Sequence, residues 1–344
     1  MEQLTPPKIF SAWRIYVVLA ICISLSGFIF YTEFSKHQLD FSKINFTSAS
    51  LFFLLTALLM MVFRDLAYIV RIRLLTKKAL TWKQSFNVIL LWEFASALTP
   101  GVVGGAAVAM FILRKEKINL GKSTAIVIIT ALFDNLFYVV LVPIVFLFIS
   151  ASTLFPSDLD WLKQEGLAIF YSGFALLFLI TIILFVSVFV YPKLIGKLLS
   201  KISKLPLLKR KKEKLHQLGV DVELASKEFK RESFLFWCKI FLVTIWSWLS
   251  RYLVINFILL AFIEIGFLDN FIVLARQLVI WLVMLVSPTP GGSGVAEFLF
   301  GQLLSDFIKN GAFAISLALL WRLISYYPYL LFGSIILPSW LVKK

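Results

Sequence analysis

The chain has very little histidine and cysteine, with two residues of each among 344. Cys22 and Cys238 both fall in hydrophobic segments, and His37 and His216 lie far apart in polar segments. Residues so few and so placed predict neither a disulfide framework nor a metal site. We therefore expect no metal and no other cofactor.

Acidic residues are also scarce: 19 Asp and Glu stand against 34 Lys and Arg, which gives a formal net charge of +15. No histidine lies in a hydrophobic segment, and no pair of acidic residues there has the spacing of metal ligands. These are the groups that an integral-membrane enzyme acting on lipid or polyprenyl phosphates would use. We therefore expect that the protein is not an enzyme. An integral-membrane enzyme that acts on lipid phosphates is kept as a less favoured alternative.

Hydrophobic sequence, by contrast, is abundant: 60% of the residues are hydrophobic, and the mean hydropathy is +0.91. Segments of about 20 apolar residues are long enough to cross a bilayer core. They predict an all-α polytopic membrane protein, and no secretory signal peptide is expected, because the first segment continues as a full span. The predicted spans cover residues 13–32, 49–70, 124–150, 167–191, 234–262 and 311–338.

The basic residues are distributed unevenly between the predicted loops. If both termini are cytoplasmic, the inner segments hold 25 of the 34 Lys and Arg and the outer segments hold four. Cytoplasmic loops carry such an excess, so we expect cytoplasmic termini, a bacterial cytoplasmic membrane and no nucleic-acid partner. The longest inner loop, 192–233, either binds anionic headgroups or is simply the signal that sets the topology.

Two further hydrophobic stretches, 84–113 and 271–304, are each interrupted by Thr-Pro-Gly and more glycines. The interruptions read LTPGVVGGAAVAMFIL at 98–113 and PTPGGSGVAEFLFGQLL at 288–304. Pro and Gly break a helix, and the freed backbone groups find no water in hydrocarbon. The first stretch has basic flanks and the second has acidic or near-neutral flanks, so we predict two re-entrant hairpins that enter from opposite sides.

The surroundings of the two interruptions also correspond. Charged residues stand 36 and 39 residues before the two Thr-Pro-Gly prolines, and 34 and 32 residues after them. We therefore predict two inverted repeats, 13–150 and 167–338, each with three spanning helices and one re-entrant broken hairpin. Many secondary transporters are built in this way, with the substrate bound at broken helices.

The two hairpin tips are the predicted centre of the site. A helix that restarts after a glycine-rich turn points unpaired N–H groups at the turn, so two tips that meet inside the membrane would form a polar, partly positive site. Alternatively, these residues only shape kinked helices that pack on small neighbours. The tip residues expected around a substrate are Thr99, Pro100, Gly101, Gly104, Gly105, Thr289, Pro290, Gly291, Gly292 and Gly294.

Charged residues inside the predicted spans and hairpins are the second group of candidates. Each costs roughly 2.5–3.5 kcal/mol in the membrane, so each should pair or face a cavity. Arg251 and Arg322 either bind phosphate or form salt bridges with Glu297 or Asp134, and these two carboxylates are also candidate proton carriers. Glu93 completes the predicted substrate site. The whole set is Arg64, Asp65, Glu93, Asp134, Arg251, Arg276, Glu297 and Arg322.

The second tip, SPTPGGSGVAE at 287–297, together with LTPGVVGG and the LRKEK…GKSTA…D pattern after it, resembles a known family. It is similar to the flippase-like transmembrane domain of lysylphosphatidylglycerol synthases, over roughly residues 10–340. The resemblance implies a translocase of phospholipids or related amphiphiles, often a homo-oligomer, without the synthase domain. A separate lipid-modifying enzyme stays open as a partner. Family members often carry an acidic residue and an arginine after the first tip, where this chain has Gly105 and Ala109.

In the predicted mechanism a lipid headgroup enters a polar cavity between the tips while the acyl chains stay in the bilayer. Alternating exposure of the two hairpins would then pass the headgroup across. A secondary transporter of a small solute or ion would show the same inverted build, so it is the main alternative function.

Overall fold

The computed structural model describes residues 46–99, 101–156, 160–194 and 212–342, with isolated residues between 13 and 35 and at 197 and 201. Within these residues the fold is all-helical, and most of the predicted span 13–32 lies outside them. A 3-10 helix covers Ala151–Leu154 and a π-helical turn covers Val186–Val190. The α-helices are α1 Ser48–Leu75, α2 Trp82–Leu98, α3 Gly101–Lys115, α4 Leu120–Phe146, α5 Asp160–Phe185, α6 Lys212–Lys230, α7 Phe234–Leu260, α8 Phe267–Val286, α9 Val295–Leu303, α10 Gly311–Ser325 and α11 Tyr327–Val342.

Six helical segments of the described chain are long and apolar enough to cross a membrane. Five of them coincide with predicted spans, so the chain is an integral membrane protein. The sixth, 267–285, was expected to be one arm of a re-entrant hairpin. Its helix α8 begins before residue 271 because the Asp269 carboxylate accepts a hydrogen bond from the Gly266 N–H (2.8 Å) and caps the first turn. With 20 residues, α8 is about 30 Å long, the length of a full span.

The last predicted span, 311–338, consists of two helices that meet at Tyr326. Pro328 favours the break, because it has no N–H to donate and because in a continuous helix its ring would clash with the carbonyl group of Ile324. The interruption places the side chains of Tyr326 and Tyr329 inside the molecule, where both are buried. Both tyrosines contact groups of the candidate site described below.

Polar side chains fix where most of the long helices begin. Thr47 and Thr81 form reciprocal capping boxes with the third residues of α1 and α2. Asn119, Ser233 and Asn310 accept hydrogen bonds from first-turn N–H groups of α4, α7 and α10, at 2.7, 3.2 and 3.0 Å. Each cap satisfies a backbone donor that the helix itself leaves unpaired. The ends of the apolar segments are therefore defined by local sequence.

Helices α1 and α7 pack against each other in antiparallel directions at the centre of the molecule. The rings of Phe53 and Phe257 are stacked at 6.3 Å, and those of Phe63 and Trp246 lie 6.4 Å apart. Helices α2 and α3 form one hairpin and α8 and α9 the other, while α4 packs on α3, α5 and α7. A group of charged side chains, described below after the two tips, lies in the space between α1, α2, α4 and α7.

Candidate functional site

Both Thr-Pro-Gly stretches interrupt their helices, as predicted. Helix α2 ends at Leu98 and α3 begins at Gly101, whereas α8 ends at Val286 and α9 begins at Val295. Pro100 lies outside the described residues, as do the surroundings of the Gly101 side-chain position. The first break is short and the second is a loop of several residues.

The two tips touch each other. The Gly291 N–H donates a hydrogen bond to the Thr99 carbonyl oxygen (3.4 Å). The Tyr326 hydroxyl donates to the carbonyl oxygen of Ala97 (3.0 Å), just before the first tip. Carbonyl groups that the end of α2 leaves unpaired are therefore satisfied by the second half of the chain.

The glycines of the second tip have backbone conformations that other residues rarely adopt. The φ angles of Gly291, Gly292 and Gly294 are 56°, 69° and 84°. A Cβ atom on Gly291 would lie only 2.7 Å from Cζ of Tyr326. The loop therefore requires glycine both for its left-handed turns and for its close approach to the Tyr326 ring.

The remaining tip residues are engaged within the tips themselves. The Thr99 hydroxyl donates to the Ala95 carbonyl (2.9 Å), and Gly104 and Gly105 pack directly against Thr99 and Ser96. In the second tip, the hydroxyls of Thr289 and Ser287 are 3.0 Å apart, and the Pro290 carbonyl accepts from the Ser293 N–H (3.1 Å). Much of the polar capacity of the tips is thus used internally.

A buried group of four partners holds the second tip in place, and we call it the tip lock. It consists of the ion pair between Arg322 and Glu297 together with Ser293 and the Gly291 carbonyl. Arg322 donates to Glu297 Oε1 (3.2 Å), to Ser293 Oγ (3.2 Å) and to the Gly291 carbonyl (2.9 Å). Its guanidinium also stacks on Tyr326, 3.8 Å from the ring centre. Arg322 is 3% exposed and Glu297 is 1% exposed. Of the alternatives for Arg322, the structure shows the salt bridge with Glu297.

A second and larger polar group, the central ion cluster, lies between α1, α2 and α4; it comprises Arg64, Asp65, Arg71, Glu93 and Asp134. Arg64, 1% exposed, forms a short ion pair with Glu93 of α2 and a 3.1 Å pair with Asp65. The Tyr329 hydroxyl of α11 accepts from Arg64 (2.6 Å) and donates to the Asp65 carboxylate (2.8 Å). Side chains of α1, α2 and α11 therefore share one hydrogen-bonded network.

Asp134 is paired with Arg71, not with Arg251 or Arg322. Arg71 Nη1 and Nη2 lie 2.5 and 3.3 Å from the two carboxylate oxygens of Asp134. Two side chains of α7 support the pair: Trp248 donates to Asp134 (2.8 Å), and Thr244 accepts from Arg71 (3.2 Å). The alternative in which Asp134 forms a salt bridge with Arg251 or Arg322 was wrong, because Arg71 of α1 occupies both oxygens of its carboxylate.

A cleft opens beside the central ion cluster, and the space in it, part of which is open to the surroundings, is about 410 Å³. Glu93 and Asp134, whose side chains are 23% and 21% exposed, are accessible from this space. The Tyr68 ring separates Arg64 from Arg71, with each guanidinium 4.8 Å from its centre. The cleft is lined by Tyr68, Arg71, Ile72, Ile89, Trp92, Glu93, Thr130 and Asp134.

Two predicted residues lie away from these groups or are not bonded to them. Arg276 is buried where α8 meets α9, and it donates to Asp306 (2.7 Å) and to the carbonyls of Leu303 and Thr153 (2.8 and 3.2 Å). Arg251 is half-buried on α7, with its guanidinium 5.4 Å from the Trp248 ring centre. Arg276 therefore joins α8 to the end of α9 and to the 3-10 helix. Arg251 forms no comparable hydrogen bonds among the described residues.

Arg71 was not among the predicted site residues, because it lies just beyond the end of the predicted span 49–70. Helix α1 runs on to Leu75, so Arg71 lies within the helix and not in a loop. The spacing of Arg64, Tyr68 and Arg71 was the available signal, because residues at i, i+4 and i+7 share one helix face. Tyr329 was missed because nothing in its own segment shows that it contacts α1.

Helix α6 packs on α4 through buried residues that include Ala225 and Phe229, and surface ion pairs also join it to the basic ends of α1 and α4. Lys77 lies 2.9 Å from Glu228 and 2.7 Å from Glu232, and Lys122 lies 3.4 Å from Glu228. Hydrogen bonds to Glu232 and Glu228 raise the pKa of Lys77 above its usual range. The hydrogen bond from Lys77 lowers the pKa of Glu228.

Within the part of the chain that the structure describes, no group of three or more His, Cys, Asp or Glu side chains is placed to hold a metal.

A family model described as "Lysylphosphatidylglycerol synthase TM region" matches residues 17–333, a range that includes both tips and the central ion cluster. The chain is 24% identical over 337 residues to a protein of Archaeoglobus fulgidus named "UPF0104 membrane protein", which covers 95% of this chain and 97% of that protein. No solved structure matches the chain. The family match extends over most of the sequence, and it agrees with the resemblance carried by the two tips. The chain belongs to the family of the lysylphosphatidylglycerol synthase transmembrane region.

Proposed function

We propose that the protein is a translocase that moves a phospholipid or related amphiphile between the two leaflets of a membrane. The observation that carries the proposal is the cleft beside the central ion cluster. Charged groups inside a membrane are costly, so they persist where they pair or line a wet cavity. Here they do both, because the carboxylates of Glu93 and Asp134 are paired and still accessible.

The cleft suits the headgroup of a lipid better than a wholly apolar ligand. It presents Arg71 together with two carboxylates and the rings of Tyr68 and Trp92. A headgroup could exchange its hydration for these groups while its acyl chains stay outside in hydrocarbon. Exposed apolar side chains on the helices that bound the cleft, such as Leu66 of α1 and Phe86 of α2, offer a surface for such chains.

The two halves of the chain differ in a way that supports alternating exposure. In the first half, Glu93 and Asp134 are partly accessible, whereas in the second half Glu297 and Arg322 are sealed in the tip lock. Translocation requires that the open side can close and the closed side can open. In our proposal the structure is one of these two states, and movement of the hairpins produces the other.

Membership of this family also supports a role connected with membrane lipids, and the relative from Archaeoglobus fulgidus is named a membrane protein. We further propose cytoplasmic termini in a bacterial cytoplasmic membrane, as the distribution of basic residues predicts. The inverted repeats and a homo-oligomer belong to the same proposal. The orientation is tested by placing single cysteines in the loops of the protein and labelling them in intact cells.

A reconstitution experiment tests the proposed function. Purified protein is placed in liposomes, and leaflet exchange of fluorescent phospholipids with several headgroups is compared with protein-free liposomes. We expect faster exchange with protein, at a rate that depends on the headgroup. Uptake of water-soluble solutes is followed in the same liposomes. Solute uptake without lipid exchange would favour the secondary transporter, and chemical change of the lipid would favour the enzyme.

A further inference from the structure

We infer that Arg251 is a binding residue for the phosphate group of the ligand. The surroundings of Arg251 point to this role, while the identification of the phosphate as part of a lipid rests on the proposed function. Arg251 differs from the other arginines buried in the spans, each of which has a carboxylate partner. Those pairs are Arg64 with Glu93, Arg71 with Asp134, Arg276 with Asp306 and Arg322 with Glu297.

Arg251 has no such partner among the described residues. Within them, its guanidinium makes no hydrogen bond and no ion pair, and its recorded contact is with the ring of Trp248. The residue is only half-buried, so its N–H groups are accessible. An arginine in a membrane helix normally pairs with an anion or a carbonyl group. Arg251 therefore offers donors that the protein leaves unused.

Arg251 lies on the face of α7 that is bonded to the central ion cluster. Thr244, Trp248 and Arg251 are spaced at i, i+4 and i+7, so they share one face of α7. The first two bond Arg71 and Asp134 in the central ion cluster. Arg251 is the next step on the same face, about 10 Å along the helix from Thr244. A ligand that enters the cleft and moves along α7 would meet it.

Nearby carboxylates do not already satisfy Arg251. Glu93 and Asp65 belong to the central ion cluster, to which the same face of α7 is hydrogen-bonded through Thr244 and Trp248. Both carboxylates, however, are hydrogen-bonded to Arg64, and Asp65 also accepts from Tyr329. Neither carboxylate forms an ion pair with Arg251 among the described residues, so Arg251 can bind an incoming anion without first breaking an ion pair of its own.

Phosphate is the ligand chemistry that fits these donors. The guanidinium is permanently charged, and its planar fork makes two parallel hydrogen bonds to phosphate. The three arginines at positions 64, 71 and 251 are balanced by the three carboxylates at positions 65, 93 and 134. Directed hydrogen bonds, more than surplus positive charge, would therefore hold the anion. Lysine should replace Arg251 only in part.

Binding of two labelled lipids to the purified full chain in neutral detergent tests the inference. One lipid is dansyl-labelled phosphatidylglycerol, and the other is dansyl-labelled diacylglycerol with the same acyl chains and no phosphate. Binding is followed by energy transfer from tryptophan. We expect Arg251→Gln to lose affinity for the phospholipid at least about tenfold and to keep its affinity for the diacylglycerol. Arg251→Lys should fall between Arg251→Gln and the unchanged protein.

Lys239→Gln is the matched control, because it removes one positive charge from an exposed position on the same helix. It should bind both lipids like the unchanged protein. Competition by inorganic phosphate would show that the site also takes the free anion, and lack of competition would show that it takes phosphate on a lipid; both support the inference. Phospholipid affinity within twofold of normal in Arg251→Gln would overturn it, as would equal loss for both lipids. Leaflet exchange is measured separately, so the proposed function can fail while this binding result stands.

Discussion

At the scale of single residues, the most constrained part of the molecule is the tip lock. Arg322 and Glu297 are both almost fully buried, and Glu297 also accepts from the Gly294 N–H (2.7 Å). Removing one member leaves the other as an uncompensated charge, whereas removing both does not. The pair therefore acts as a unit that fixes the second tip.

We predict that Glu297→Leu destabilises the protein by about 3–5 kcal/mol, because Arg322 stays buried without its partner. The double variant Glu297→Leu with Arg322→Met should be destabilised by less than the sum of the two single variants. Unfolding in detergent, followed for all four proteins, measures the coupling. Additive losses would show that the two side chains act independently.

Gly291 gives a second prediction at this scale. Alanine at this position must adopt a left-handed backbone and would press its Cβ into the Tyr326 ring. Gly291→Ala should therefore cost at least about 1 kcal/mol of stability. Gly301 lies within α9 with open space around its Cβ position, so Gly301→Ala is a control that should be neutral or stabilising by up to about 1 kcal/mol. Equal losses in both variants would contradict this account of the tip.

At the scale of helices, the sequence predicted the spans better than their ends. Hydrocarbon thickness sets the length of a span, so long apolar segments identify it directly. The early start of α8 depends on one carboxylate at its first turn, and the break at Tyr326 depends on Pro328. Local features of this kind do not change the average hydropathy of a segment, which is why they were missed.

The docking of α6 should depend on pH and salt. Because the pKa of Lys77 is raised, its contribution to the stability of the docked helix is present at neutral pH. This contribution is lost as the pH rises through the raised pKa of Lys77. Because the pKa of Glu228 is lowered, its contribution is present at neutral pH and is lost as the pH falls below about 5. We predict strongest protection of α6 from hydrogen exchange between these limits.

These ion pairs are substantially exposed, so each is worth only about 0.2–1 kcal/mol and is weakened by salt. Glu228→Gln should increase hydrogen exchange in α6 and make it less sensitive to acid. Glu213, in the first turn of the same helix, is exposed and serves as the position for a control Glu→Gln change. Exchange in α6 that does not respond to acid, salt or Glu228→Gln would argue that apolar packing alone docks this helix.

At the scale of the whole molecule, the sequence identified most of the charged residues but not how they are paired. An arginine inside an apolar helix is visible from composition alone, whereas its partner is chosen by the packing of several helices. Asp134 illustrates this, because its partners Arg71 and Trp248 come from α1 and α7. The tips were predicted to form the polar cavity, but their polar groups mostly bond each other, and the cleft lies beside α1, α2 and α4.

Translocation through this cleft is the central claim, and Asp134 tests it most directly. Asp134→Asn keeps the shape of the side chain but removes the charge that pairs with Arg71 in the wall of the cleft. The measurement is the rate of phospholipid exchange between leaflets of liposomes that contain the unchanged protein, Asp134→Asn or Lys239→Gln. The account predicts exchange at least about tenfold slower in Asp134→Asn and a normal rate in Lys239→Gln. A normal rate in Asp134→Asn, with exchange well above protein-free liposomes, would contradict it.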